Sequence, residues 1–216
     1  MIRSLLILTL ALNFQINSVA GEYHHGNIDL RLGGRFYIVS FLEDIFGKEN
    51  ISNSGEGLYR KQGKLYPLTV EFFISKRSLW GGPCDIYEMS ENNSGELEFP
   101  LRHCHLSSSG LNSPMVVGPS VVRDAFRIRG CEEIVNINAS IDHALEKAGI
   151  VSGDGDITTD LKKAYSLFFP SRPQTGESFD AVINSLNNVY NSLDSPFEGW
   201  RHVLLTLCYD PSWQII

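Results

Sequence analysis

Apolar residues in the second half of the chain recur every three or four positions, and residues typical of helix ends bound each run. Ser120 can cap a helix, and Gly149 and Pro170 follow two further periodic runs. Pro196 stands at a first-turn position of the last run, which ends near Asp210. This spacing predicts consecutive amphipathic helices and therefore constrains the chain to a mainly α, bundle-like fold.

The same periodicity predicts which side of each helix is buried. The helix after Ser120 should bury Val121, Val122, Ala125, Ile128, Cys131 and Val135. The next helix covers Ala139–Ala148, and a third covers Asp160–Phe169, with Thr158 or Thr159 as its start signal. A longer helix, capped by Ser178, should bury Val182, Leu186, Val189 and Leu193. The last helix should bury Trp200, Val203, Leu204 and Leu207.

The first half of the chain carries weaker signals. Residues 34–46 have a helical apolar face that ends at Gly47, whereas residues 67–80 suit either a helix or a buried strand. Turn residues dominate from about 81 to 119, which predicts a loop-rich insert. We expect a single mainly helical domain over residues 21–216, with at most two short strands.

The first twenty residues have the pattern of a cleaved export signal. Arg3 supplies a positive charge, Leu5 to Leu12 is a short apolar run, and Ser18-Val19-Ala20 ends in small residues. The apolar run is too short to span a bilayer. The sequence after residue 20 also has no apolar stretch long enough to span one. We therefore expect removal of residues 1–20 and a periplasmic or extracellular mature protein, without a transmembrane segment.

All four cysteines follow this leader, and exported proteins favour cysteine pairing. Cys84 and Cys104 both lie in the loop-rich insert, which favours them as one pair and predicts a stapled insert. Cys131 and Cys208 fall on predicted helices. They are either a second bridge between packed helices or two buried thiols.

Arg102-His103-Cys104-His105 is the densest group of metal-capable side chains. In an extended backbone, His103 and His105 project to the same side, and Cys84 or a distant histidine can complete a metal site with them and Cys104. A disulfide at Cys104 removes the thiolate that a metal requires, so we expect no metal and keep a transition-metal site as the alternative.

A c-type haem is a second alternative for the same segment. Cys104-His105 has the order of a thioether cysteine and an axial histidine, and Met115 can act as the opposite axial ligand. The usual attachment has another cysteine three positions upstream, whereas the nearest upstream cysteine is Cys84.

Both ends of the helical region resemble helical domains of secreted planctomycete-type proteins that carry cytochrome c modules. The matching segments are residues 31–47, which end Asp-Ile-Phe-Gly, and residues 204–214, which contain Asp-Pro-Ser-Trp-Gln. Glu43 stands where those domains usually have arginine, and Tyr37 is displaced by one position. The resemblance implies an exported helical fold and favours the haem alternative.

Function is less constrained than fold. The net charge is −7, and the basic residues are scattered, which argues against nucleic-acid binding. The chain lacks the nucleophile-elbow, phosphate-loop, zinc-protease and dinucleotide motifs. We expect a non-enzymatic exported protein that presents the insert to an unknown protein partner. The alternative is a metal- or haem-binding protein associated with electron transfer, and a hydrolase with a dispersed site ranks last.

Overall fold

The computed structural model describes residues 32–53, 57–61, 64–81, 119–150 and 156–215, and within these ranges the chain is mainly helical, as the sequence predicts. The α-helices are α1 (Arg35–Phe46), α2 (Arg77–Trp80), α3 (Val121–Val135), α4 (Asn138–Lys147), α5 (Ile157–Phe168), α6 (Glu177–Asn191) and α7 (Pro196–Tyr209). Two π-helical turns cover Glu49–Asn53 and Val70–Ile74, and a 3-10 turn covers Pro211–Gln214. Strands β1 (Leu58–Lys61) and β2 (Lys64–Pro67) pair antiparallel, with Tyr59 opposite Tyr66.

Helix α7 lies at the centre of the helical packing and contacts α3, α4, α5 and α6. Its predicted buried face is confirmed, because Trp200, Val203, Leu204 and Leu207 are all buried. Helix α1 packs against α4 and the second π-helical turn, and its buried residues join the same apolar cluster. One hydrophobic core therefore connects the described parts of both halves of the chain.

The segment at 67–80, which the sequence left open, is neither one continuous helix nor a strand. Strand β2 ends at Pro67, and the chain then forms the turn Val70–Ile74 and the short helix α2. Phe73 of the turn is fully buried, and Trp80 Nε1 donates a hydrogen bond of 2.9 Å to the Phe72 carbonyl. Helical turns allow these aromatic rings to pack on one another within a short segment.

Helix α3 begins as predicted, since the Ser120 hydroxyl accepts a hydrogen bond of 3.1 Å from the Arg123 amide. Helix α5 begins earlier than predicted, because the Asp156 carboxylate caps it by accepting from the Thr158 and Thr159 amides. Helix α6 also begins earlier, at Glu177, so that the predicted cap residue Ser178 lies within its first turn.

The predicted buried face of α3 is wrong in its first half. Val121 is 86% exposed and Val122 54% exposed, and Ala125 and Ile128 are also exposed. Arg123 and Arg127 lie on the buried side instead, while Cys131 and Val135 are buried as predicted. An apolar pattern cannot anticipate this arrangement, because it assigns charged residues to solvent.

The face of α6 is shifted by one position at its start. Ile183 and Phe179 are buried, whereas Val182 is 39% exposed, and Leu186 is buried as predicted. The Phe179 ring packs edge-on against the Tyr165 ring, with centroids 5.3 Å apart. This aromatic pair contributes to the packing of α6 against α5.

Candidate functional site

Cys131 and Cys208 form a disulfide that joins α3 to α7, with a Cα–Cα distance of 6.0 Å. Both residues are fully buried. Of the two arrangements that the sequence left open for them, the structure has the bridge.

The other sequence-predicted site residues lie outside the described residues. These are Cys84, His103, Cys104, His105 and Met115, together with the leader at 1–20. The stapled insert, the metal alternative and the haem alternative therefore stay predictions. Among the described residues, no group of three or more histidine, cysteine or acidic side chains is placed to hold a metal ion.

A buried arginine connects four distant parts of the chain. Arg123 is 1% exposed, and its Nε and Nη2 donate to Gln214 Oε1 at 3.2 and 3.0 Å. Its Nη groups also donate to the carbonyls of Gly33 and Leu79, at 3.0 and 3.2 Å. Burial lowers the pKa of Arg123 to about 10. The guanidinium lies 4.6 Å from the centroid of the Trp80 ring.

A second buried arginine, Arg127, donates hydrogen bonds to the backbone beside the disulfide. Arg127 Nη1 donates to the carbonyls of Cys208 and Tyr209, at 3.0 and 2.5 Å. Trp213 Nε1 donates to the same Cys208 carbonyl at 3.0 Å. The crosslinked end of α7 therefore fixes the position of Trp213.

Trp213 forms part of a surface groove of about 290 Å³ between α1, the end of α5 and the C-terminal turn. Its lining is mostly aromatic and comprises Tyr37, Phe41, Phe168, Phe169, Pro170, Ser171, Arg172, Ser212, Trp213 and Ile215. The Phe41 and Trp213 rings are stacked, with centroids 4.9 Å apart and an interplanar angle of 4°. Tyr37 is 38% exposed and Ile215 41% exposed, so the groove has accessible apolar rims. We define this feature as the aromatic groove.

Tyr37 is placed by a close approach of the backbone. A Cβ atom at Gly33 would overlap the Tyr37 ring, so glycine is required there for the ring to take this position. The Gly33 amide donates to the Gln214 carbonyl at 2.6 Å, next to an isolated antiparallel bridge between Leu32 and Ile215. These contacts bring the start of α1 and the end of the described chain together at the groove.

Among the described residues that line the aromatic groove, Arg172 is the one with a formal charge. The Arg172 amide donates to the Phe169 carbonyl at 3.2 Å, which closes a β-turn with Pro170 at its favoured second position. The guanidinium carbon lies 4.6 Å from the centroid of the Phe169 ring. Arg172 also faces Asp210 at 3.8 Å, in a pair whose side chains are 44% and 40% exposed.

The sequence predicts Phe168, Phe169, Phe197, Trp200 and Trp213 as core residues, and all are buried except Phe197, which is only partly buried. The sequence did not indicate the groove, because three of these rings also line a surface depression. A usable signal was the aromatic pair Phe168-Phe169 followed by Pro170-Ser171-Arg172, which places a charge in a tight turn beside the rings. The contact between α1 and the C-terminal turn had no local signal.

A larger depression of about 570 Å³ lies between α1 and α4, and three of its charged side chains already have partners. Lys147 forms an ion pair with Asp44, and Glu43 accepts a hydrogen bond of 2.5 Å from the Ser52 hydroxyl. The aromatic groove is the better candidate, since apolar walls with a few polar groups at the rim are typical of binding sites.

In the part of the chain that the structure describes, no helix combines the length and apolar character needed to span a bilayer. Comparison of the chain with protein-family models, curated proteins and solved structures finds no match.

Proposed function

We propose that this chain is an exported, non-enzymatic protein that binds an apolar segment of a partner protein in the aromatic groove. The observation that carries the proposal is the stacked series Tyr37, Phe41 and Trp213, whose outermost ring is accessible. Grooves lined by aromatic rings bind extended peptides, and proline-containing ones in particular. The volume of about 290 Å³ suits one or two side chains of a partner.

Two further features support export. The leader pattern of residues 1–20 is typical of a signal peptide. The buried bridge between Cys131 and Cys208 is of the kind that forms in oxidising compartments and is rare in the cytosol.

A displayed library of random peptides, selected on the purified protein, tests the binding role. Enriched peptides should carry aromatic residues or proline, and Tyr37→Ser should abolish their binding. Val182→Ser is the matched control, because Val182 is 39% exposed and Tyr37 38% exposed, but Val182 lies on α6 away from the groove. An equal loss of peptide binding in both variants would contradict the proposal. Failure of the library to yield any enriched peptide would also contradict it.

Export and the absence of catalysis have their own tests. The intact mass of protein isolated from its source should show loss of residues 1–20 and at least one disulfide. Uncleaved protein with four free thiols would contradict export. Substrate turnover in a broad hydrolase screen, abolished by a single side-chain change, would contradict a purely binding role.

A further inference from the structure

Of the residues that the structure describes in the lining of the aromatic groove, one is charged, and that charge is positive. Because the Arg172 guanidinium stacks on the Phe169 ring and its backbone closes a turn, the side chain is oriented before any ligand arrives. A planar guanidinium held in this way can present two parallel N–H groups to a carboxylate.

The existing partner of Arg172 is a weak competitor. The distance of 3.8 Å to Asp210 is long for a hydrogen-bonded ion pair, and both side chains are about two-fifths exposed. Exposed pairs of this kind contribute little to stability. Asp210 also has another role, since its Oδ1 accepts a hydrogen bond of 2.9 Å from the Ser212 amide and caps the C-terminal turn.

We infer that the groove selects a partner segment in which an aspartate or glutamate lies next to an aromatic residue or proline, and that Arg172 determines this selectivity. The apolar side chain packs against Tyr37 and Trp213, while the carboxylate replaces Asp210 as the principal partner of Arg172. This inference rests on the proposed binding function and specifies the chemistry of the partner at the same site.

Two blocked pentapeptides test the inference, one with phenylalanine, proline and aspartate at its centre and its twin with asparagine. Their affinities are measured by calorimetry at about 0.15 M salt, where the net charge of −7 is screened beyond roughly 8 Å. We expect the wild-type protein to bind the aspartate peptide about fivefold to tenfold more tightly than its twin.

Three variants separate the contributions. Arg172→Gln should bring the affinity ratio of the two peptides close to one, with an unchanged melting temperature. Asp210→Asn should raise the ratio, because asparagine can still cap the turn but no longer competes for Arg172. Arg201→Gln is the control, since Arg201 pairs with Glu198 on α7 and should leave the ratio unchanged.

The possible outcomes distinguish a failure of the acidic selectivity from a failure of the binding function. Equal wild-type affinity for the two peptides would overturn the acidic selectivity and leave the binding function standing. No binding of either peptide, together with an unproductive library, would overturn both. N-acetylphenylalanine binding as tightly as the peptide would indicate a small aromatic acid as the ligand and overturn the inference. Self-association abolished by Arg172→Gln would identify a second copy of the chain as the occupant and also overturn it.

Discussion

Removal of the Cys131–Cys208 crosslink should strongly destabilise the fold. The expected loss in free energy of unfolding follows from the number of residues between the two cysteines. The two cysteines are 77 residues apart in sequence. In the chain-entropy treatment, a closed loop of that length restricts the unfolded state by about 4.5 kcal/mol. A domain of this size has a total stability of roughly 5–15 kcal/mol. The crosslink is therefore a large part of the free energy of unfolding.

The measurement is urea unfolding of the wild type and of the double variant Cys131→Ala/Cys208→Ala, followed by tryptophan fluorescence. We expect the double variant to lose about 4 kcal/mol in free energy of unfolding. Val203→Ala is the control, because Val203 is fully buried on the same helix and its truncation removes packing without removing a crosslink. That control should lose about 2 kcal/mol.

Two results would contradict this expectation. If the double variant loses no more than the control, the bridge does not restrict the unfolded chain as a loop of this length should. A loss below about 1 kcal/mol would indicate that the two cysteines are not crosslinked in the folded protein.

Three further predictions concern the helices. Arg123→Met should lower the free energy of unfolding by about 3 kcal/mol or more, because it leaves buried acceptors without a donor. The double variant Arg123→Met/Gln214→Leu should lose less than the sum of the two single variants. Additive losses in urea unfolding would contradict the network. Burial and the hydrogen bond to a glutamate raise the pKa of Tyr209 from its usual 10 to about 12. The folded state therefore keeps a proton that the unfolded state loses, and stability present below pH 10 should be lost as the pH rises towards 12. Tyr209→Phe should reduce that alkaline decline in stability, and an identical decline in both proteins would contradict the prediction. Val121→Ser and Val122→Ser should each change stability by less than about 0.5 kcal/mol, since both side chains are exposed; a loss above about 2 kcal/mol in thermal unfolding would place them in the core.

The sequence predicted those helix ends and buried faces that depend on residues close together in the chain. The Ser120 cap depends on one hydroxyl and an amide three residues away, so four residues of sequence contain the information. The buried face of α7 was equally predictable, because the residues with helical spacing on that face are all apolar: Trp200, Val203, Leu204 and Leu207.

The errors arose where long-range polar contacts override the apolar pattern. On α3, burial of Arg123 depends on acceptors in Gly33, Leu79 and Gln214, which lie 44 to 91 positions away in sequence. An apolar pattern assigns arginine to solvent, because an unpaired buried charge is costly. Here the acceptors compensate for that cost, and they are visible only once the chain has folded.

The aromatic groove escaped prediction for a related reason. Its walls come from residues 37–41, 168–172 and 212–215, so no segment of the chain contains the site. The rings at its floor satisfy every expectation for core residues, and burial alone does not distinguish a core ring from one whose edge lines a groove.

This construction couples ligand binding to the crosslink. Trp213 donates to the Cys208 carbonyl, which the disulfide and Arg127 hold in place, so loss of the disulfide loosens one wall of the groove. Cys131→Ala/Cys208→Ala should therefore bind the aspartate peptide more weakly than wild type under conditions in which both are folded. By reciprocity, the peptide should also stabilise the crosslinked protein more than the variant. At one hundred times its dissociation constant a ligand adds about 2.7 kcal/mol, so a weaker affinity appears as a smaller rise in melting temperature. Equal affinities in the two folded proteins would show that α7 and the groove are independent.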